Sequence, residues 1–386
     1  MFNLSKNQER IKSKKKGKWW LFNANDFQSL MYPCFTFCRI LGIFPYKINN
    51  SSSAISKPYY ILSIIIICAF CFYTLINMMN LSDWFDIRQN VHKTIEIYSF
   101  FVIGSFITIV TFILNRPRMR FLWTILKIST RLSSKVYQRQ SVLIHGKDIF
   151  GFFFLLIYTI IDFYNAQVSI VTMLCPLYIN VLVFQVDMLY INCVCVLKAC
   201  FTKINDDLAN VLIMYNEPHL IRTFCHNQRN SLLLTELKAL KKRHLKISDS
   251  VQMLKIIFSP QLLATMASIF IHITFELYFN MVSWKNGLFI SWTKYVNNNV
   301  VPYIVLYFIK LVLIIWACET GKNEAVKIST NVHDILNSTK DEQIKYELQL
   351  FSLQLMHCDN TFSAKGLSLD ATRLTAVNER SFVTIV

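Results

Sequence analysis

Four charged side chains, Glu96, Asp187, Glu276 and Lys310, stand inside stretches that are otherwise apolar enough to cross a bilayer. A charge at membrane depth costs several kcal/mol unless it meets an opposite charge or water, so each is a candidate functional group. Lys310 lies near the middle of its stretch. Its expected partner is Asp187, toward the inner third of an earlier stretch, or Glu276, in the outer third of another. Two chemistries are open to such a pair: a buried ion pair that fixes helix register, or polar contact inside a water-filled ligand cavity. Glu96 begins its stretch at the outer interface, where water is expected to solvate it.

Aromatic and amide groups gather in the outer halves of the same stretches. Tyr98, Tyr158, Asp162, Gln167, Glu276, Tyr278, Tyr303 and Tyr307 are the candidate ligand-pocket residues. Many such side chains serve as interfacial belt residues, but a small-molecule pocket between helices needs this mixture of flat apolar walls and few polar groups. Catalysis is not expected: the chain has no phosphate loop and no Gly-x-Ser-x-Gly elbow. Its 8 histidines show no ligand spacing, so neither a metal nor a cofactor is expected. The 11 cysteines do not suggest a disulfide framework. Cys34, Cys38, Cys200, Cys225 and Cys358 fall at the reducing cytoplasmic face, and Cys68, Cys71, Cys175, Cys193, Cys195 and Cys318 fall within the apolar stretches, where a thiol behaves as a small apolar group.

The elements that must hold these residues follow from hydropathy and charge. Six transmembrane helices are expected over 59–79, 95–114, 148–164, 168–197, 256–284 and 300–318, most of them near the ~20 residues that span ~30 Å of hydrocarbon. Of the 40 Lys and Arg residues, 35 fall in residues 1–58, 115–148, 198–255 and 319–380, and 4 in the intervening connections. Basic loops stay inside, so the amino terminus is cytoplasmic and the carboxyl terminus extracellular after an odd number of crossings. The mean hydropathy of +0.38 and 54% hydrophobic content fit an integral membrane protein. The net charge of +17 would suggest nucleic acid in a soluble chain, but here membrane lipids and topology account for it, and no nucleic-acid partner is expected.

The expected fold class is an all-α membrane protein, a seven-transmembrane helix bundle whose long inner helices form a cytoplasmic anchor. Residues 1–58 form a cytoplasmic amino-terminal segment. Within it Asp26–Lys47, interrupted by Pro33, Gly42 and Pro45, is expected to be an interfacial or re-entrant helix, with Asn49–Ser53 a polar linker. Arg116–Arg139 carries a basic amphipathic helix with Phe121, Ile125, Ile128 and Leu132 at helical spacing, expected to pack under the bundle rather than serve as a lipid anchor. Leu232, Leu233, Leu237 and Leu240 form one inner stripe, and Ile344, Leu348, Phe351 and Leu355 another. Residues 319–371 are expected to be a cytoplasmic helical linker and 372–386 an incomplete seventh span.

The run FSLQLMHCDNTFSAKGLSLD (Phe351–Asp370) resembles the signature of insect gustatory receptors, with Phe362, Ala364, Gly366, Leu367, Leu369 and Asp370 each matching in place. Weaker echoes lie at Cys200–Leu212 and Lys238–Met266. Gly366 permits a bend between two helices, and Asp370 can offset exposed amides at the start of the next. The resemblance implies a plasma-membrane receptor for a small-molecule tastant, acting as a ligand-gated, non-selective cation channel. It further implies a homo- or hetero-tetramer with other gustatory receptor subunits, the last span of each lining the pore and cytoplasmic helices forming the main subunit contact.

The match weakens at that last span. The family's Thr-Tyr, five apolar residues and Gln-Phe are replaced by Ser381-Phe382-Val383-Thr384-Ile385-Val386, preceded by the polar Asn378-Glu379-Arg380. Ser381, Phe382 and Thr384 are the candidate pore-lining residues. A helix from Thr372 would carry Arg373, Glu379 and Arg380 into a wet pore; otherwise the span is incomplete, which is the expectation. The alternatives are a metabotropic, G-protein-coupled-like receptor, opposed by the cytoplasmic amino terminus, and a non-conducting truncated subunit.

Overall fold

The computed structural model describes residues 22–44, 46–48, 53–55, 57–84, 91–166, 170–216, 226–285 and 300–362. The elements are α1 (Phe27–Ile40), β1 (Tyr46–Ile48), β2 (Ser53–Ile55), α2 (Lys57–Trp84), α3 (Val91–Ile113), α4 (Asn115–Ser129), α5 (Ser134–Ala166), α6 (Ile170–Asn216), α7 (His226–Lys285), α8 (Val300–Ser338) and α9 (Glu342–His357). Among the described residues six helices, α2, α3 and α5–α8, are long and apolar enough to cross a membrane. The residues assigned to a seventh crossing, 372–386, lie outside the described residues.

Helix α1 begins on a capping box: Asp26 Oδ1 accepts from the Ser29 amide at 2.8 Å, and Ser29 Oγ accepts from the Asp26 amide at 3.1 Å. It ends at Gly42, whose φ of 71° is the left-handed conformation that glycine adopts without Cβ strain. A Cβ there would also lie 3.3 Å from the Ser63 backbone. The helix rises along α5 and α6: His145 Nε2 lies 2.8 Å from the Leu30 carbonyl, Gln185 Nε2 donates to the Cys34 carbonyl at 3.2 Å, and Tyr178 Oη donates to that of Leu41 at 3.0 Å. Leu30, Met31, Cys34 and Cys38 are buried against the bundle, while Tyr32, Phe37 and Ile40 on the opposite face are exposed. The linker expected at Asn49–Ser53 is shorter than that, because Ser53 already pairs with Ile48 in the antiparallel β1–β2 hairpin. That hairpin is the only β-structure among the described residues.

Helix α6 is the centre of the bundle. Its stretch Met173–Ile213 is 83% buried, whereas Tyr59–Ile76 of α2 is 17% buried. Ile61, Leu62, Ile65, Phe72 and Leu75 of α2 face outward, as a lipid-contacting helix requires. At 1.5 Å per residue the 60 residues of α7 extend about 90 Å, some threefold the hydrocarbon thickness. Helices α6 and α8 also outrun the bilayer, at 47 and 39 residues. Their inner ends, with α4 and α9, make the cytoplasmic body.

The inner stripes bury as amphipathic periodicity demands. Leu233, Leu237 and Leu240 of α7 enter the core with Ile344, Leu348 and Phe351 of α9. Leu232 departs from its stripe: it is 60% exposed, because 100° per residue carries it off the face that Leu233 and Leu237 share. Helix α4 packs under the bundle through Phe121, Leu122 and Ile125. Helix α9 starts on Asp341, whose carboxylate accepts from the amides of Gln343 and Ile344. It is tied to α7 by Lys241 Nζ, 2.7 Å from Glu347 Oε2, and that hydrogen bond holds the Glu347 carboxyl below the usual range. The ten cysteines among the described residues are free thiols.

Candidate functional site

Lys310 and Asp187 meet in the interior. Lys310 Nζ, on α8, lies 2.5 Å from Asp187 Oδ2 on α6, and Asp187 is completely buried. The second carboxylate oxygen accepts from Gln261 Nε2 at 3.2 Å and Thr265 Oγ1 at 3.3 Å, both on α7. Gln261 in turn accepts from Arg118 Nη2 of α4 at 3.4 Å, and the Arg118 guanidinium sits 5.0 Å from the Phe258 ring centroid. A buried carboxylate is tolerable when a cation is in contact and hydrogen bonds replace lost water; here Lys310 touches Oδ2 and Oδ1 accepts two hydrogen bonds. The polar chain therefore joins four helices, from the membrane interior to the start of the cytoplasmic body.

Lys310 also lines the floor of a cavity enclosed by α3, α5, α6, α7 and α8. Phe100, Tyr158, Phe184 and Tyr307 supply flat walls, and Asn180 and Thr265 add polar groups. Above it, His272 of α7 stacks on Tyr307 at 5.5 Å with the rings 12° apart, and meets Phe100 edge-on at 5.9 Å. His272 Nδ1 lies 3.2 Å from Glu96 Oε1. Glu96 was expected to be held by interfacial water; it is instead held across α3 and α7 by this buried imidazole. The cavity, at about 40 Å³, has room for a few waters. Drug-sized ligands occupy sites of roughly 300–1,000 Å³, so a ligand must displace aromatic side chains to enter.

Of the residues singled out in the sequence, Tyr158, Tyr307 and Lys310 come together around this cavity, with Asp187 directly beneath Lys310. Tyr98, Glu276 and Tyr278 are not among its lining residues, and Tyr278 is largely exposed. Asp162 and Tyr303 lie on α5 and α8, with side chains outside the description; Gln167 lies outside the described residues. Gln261, Thr265 and His272 were not singled out. Their spacing of four and seven residues places them on one face of an otherwise apolar helix, and that polar stripe was the signal to find them.

The chain leaves the body through a latched segment. Lys255 Nζ lies 2.6 Å from Asp359 Oδ2, and His244 lies within 3.1 and 3.2 Å of the Gln354 and Asn360 side-chain amides. Burial raises the Asp359 carboxyl, but hydrogen bonds from Lys255 and Thr361 outweigh it and hold the group below its ordinary value. Burial pulls the His244 imidazole down to about 4, so the ring is neutral near pH 7. Phe362 is buried against Gly321 of α8, where an added Cβ would stand 2.8 Å from its ring. The signature residues Ala364, Gly366, Leu367, Leu369 and Asp370, and the pore candidates Ser381, Phe382 and Thr384, lie outside the described residues.

Residues 31–368 match the model of the 7tm Chemosensory receptor family. A Drosophila melanogaster protein named as gustatory receptor 28b is 32% identical over 120 residues, which span 30% of this chain and 25% of that protein's length. Among solved structures, the insect olfactory receptor OR5 from Machilis hrabei superposes with a TM-score of 0.71 at 12% identity, covering 93% of this chain and 98% of that one. The same receptor in complex with eugenol gives 0.68 at 10% identity, covering 92% and 96%. At such identities the likeness establishes a shared helical fold.

Proposed function

This chain belongs to the 7tm Chemosensory receptor family, and from that premise we propose that it is a gustatory receptor of the plasma membrane, a ligand-gated cation channel subunit that detects a small-molecule tastant. The supporting observation is the aromatic-walled cavity floored by the Lys310–Asp187 pair. Phe100, Phe184 and Tyr307 suit a flat, largely apolar molecule, and Lys310 suits one hydrogen-bond acceptor on it. The likeness to a receptor solved with eugenol favours a ligand of comparable size.

Gating follows from the cavity's small volume. The closed packing competes with the ligand, so a ligand favours whichever arrangement of α7 and α8 leaves more room, in proportion to its differential affinity. An acceptor on Lys310 weakens its hold on Asp187, and Gln261 passes that change to Arg118 on α4. The subunit acts in a homo- or hetero-tetramer with other gustatory receptor subunits, its last span lining the pore.

Dose–response curves from cells expressing the full chain test the site. Tyr307→Ala and Phe184→Ala are expected to shift the half-maximal tastant concentration by about 5- to 150-fold at unchanged surface expression, since each removes an aromatic contact of about 1–3 kcal/mol. Curves identical to wild type would refute the site. A response abolished by blocking G-protein signalling would refute the channel.

A further inference from the structure

A second, much larger cavity of about 670 Å³ opens beneath the membrane between α4, α6 and α7. Its rim carries five cationic side chains: Lys127 on α4, Arg131 in the turn after it, Lys203 on α6, and Arg243 and Lys246 on α7. Only two carboxylates, Asp207 and Asp249, share the lining. Asp207 holds Lys203 at 2.7 Å and Arg243 at 3.1 Å. Lys127, Arg131 and Lys246 form no ion pair among the described residues and are exposed. Three cations without an ion-pair partner thus share the cavity lining with one remaining carboxylate, Asp249, and their mutual repulsion favours an anion between them.

The depth of the cavity narrows the choice of anion. Its α6 residues begin at Cys200 and its α7 residues end at Met253, just inside the stretches 168–197 and 256–284 assigned to the bilayer. Trp123, the aromatic type enriched at membrane interfaces, stands on its wall with Lys127 Nζ 3.2 Å from the ring centroid. A phosphomonoester carries close to two negative charges at pH 7 and several acceptor oxygens, so clustered Lys and Arg bind it far better than a singly charged carboxylate. Clusters of Lys and Arg at the cytoplasmic face of a membrane helix are a known basis for attraction to such lipids, and here the cluster encloses a volume within the range of a small-molecule site.

We propose that this cavity binds a phosphomonoester-bearing polyol, the headgroup of a phosphorylated inositol lipid of the inner leaflet or the same headgroup free in the cytosol. The amphipathic α4 then has two roles: its apolar face packs under the bundle through Phe121 and Ile125, and its end and the turn after it contribute Lys127 and Arg131 to the site.

The test uses the full chain in phosphatidylcholine nanodiscs, with phosphatidylinositol bisphosphate, phosphatidylserine or neither added, and separately the detergent-solubilised chain with inositol trisphosphate. The bisphosphate lipid is expected to bind, and the Lys127→Ala/Arg131→Ala variant to bind about tenfold more weakly. Lys246→Gln, a single change on the exposed rim, gives an independent reading if the double variant elutes as aggregate, and Lys345→Ala on α9 leaves affinity unchanged. Binding of the trisphosphate to the solubilised chain supports the site and assigns the free headgroup as a source; binding of the lipid alone supports it and assigns the membrane. Equal affinity in the variants and wild type, phosphatidylserine binding as tightly as the bisphosphate, or binding of neither phosphorylated probe overturns the proposal.

Discussion

Lys310→Met removes the cation from the Asp187 ion pair while keeping most of the side chain's volume. Asp187 is completely buried and is left with Gln261 and Thr265, two neutral donors at 3.2 and 3.3 Å. Breaking one side of a buried pair costs about 3–5 kcal/mol, because the remaining carboxylate loses its counter-charge without regaining water. For a chain of 386 residues that corresponds to a fall in thermal midpoint of about 4–6 °C. Replacing both partners, in Asp187→Asn/Lys310→Met, removes the uncompensated charge, and a neutral pair of similar shape is expected to restore most of the loss. Thermal unfolding of the detergent-solubilised protein, followed by size-exclusion recovery after heating, measures all four members of the cycle. A Lys310→Met variant as stable as wild type, or a double variant as unstable as the single, would refute the reasoning. If Lys310 also meets ligand, the double variant regains stability without regaining tastant response.

Three further outcomes follow from the cytoplasmic body and the turns. The Glu347 carboxyl lies below its ordinary value chiefly through the hydrogen bond from Lys241, so its contribution to stability is full above about pH 4.3 and is lost as pH falls through the lowered folded value. Thermal midpoints scanned downward from pH 6 should therefore fall less in Glu347→Gln than in wild type; parallel curves would contradict this. Gly321→Ala places a Cβ 2.8 Å from the Phe362 ring and is expected to destabilise the protein by about 1–3 kcal/mol, with Phe362→Leu relieving the clash in the double variant. Protease sensitivity of the segment after α9 reads out that latch. Gly42→Ala forces a side chain into the left-handed conformation at φ 71° and is expected to cost about 1–2 kcal/mol in the thermal midpoint assay, with no loss marking the turn as able to re-form.

The sequence marked six long apolar stretches, the charge asymmetry between their connections and the inner stripes, because each is written in a one-dimensional quantity: apolar run length, the placement of Lys and Arg, or the recurrence of leucine at helical spacing. It also reduced the partners of Lys310 to Asp187 and Glu276. Tertiary structure made the choice between them, since Lys310 points toward the central α6 and its depth there coincides with Asp187. The same holds for α6 being the buried helix and α2 the exposed one. In water an amphipathic face announces which side is inside, as Leu233 and Leu237 do on α7. Within hydrocarbon the lipid-facing and the core-facing sides are both apolar, so periodicity carries little orientation and only the packing of neighbours fixes rotation. The cytoplasmic basic cavity was likewise invisible: its cations come from Lys127, Lys203 and Lys246, remote in sequence, and only the docking of α4 against α6 and α7 brings them around one space.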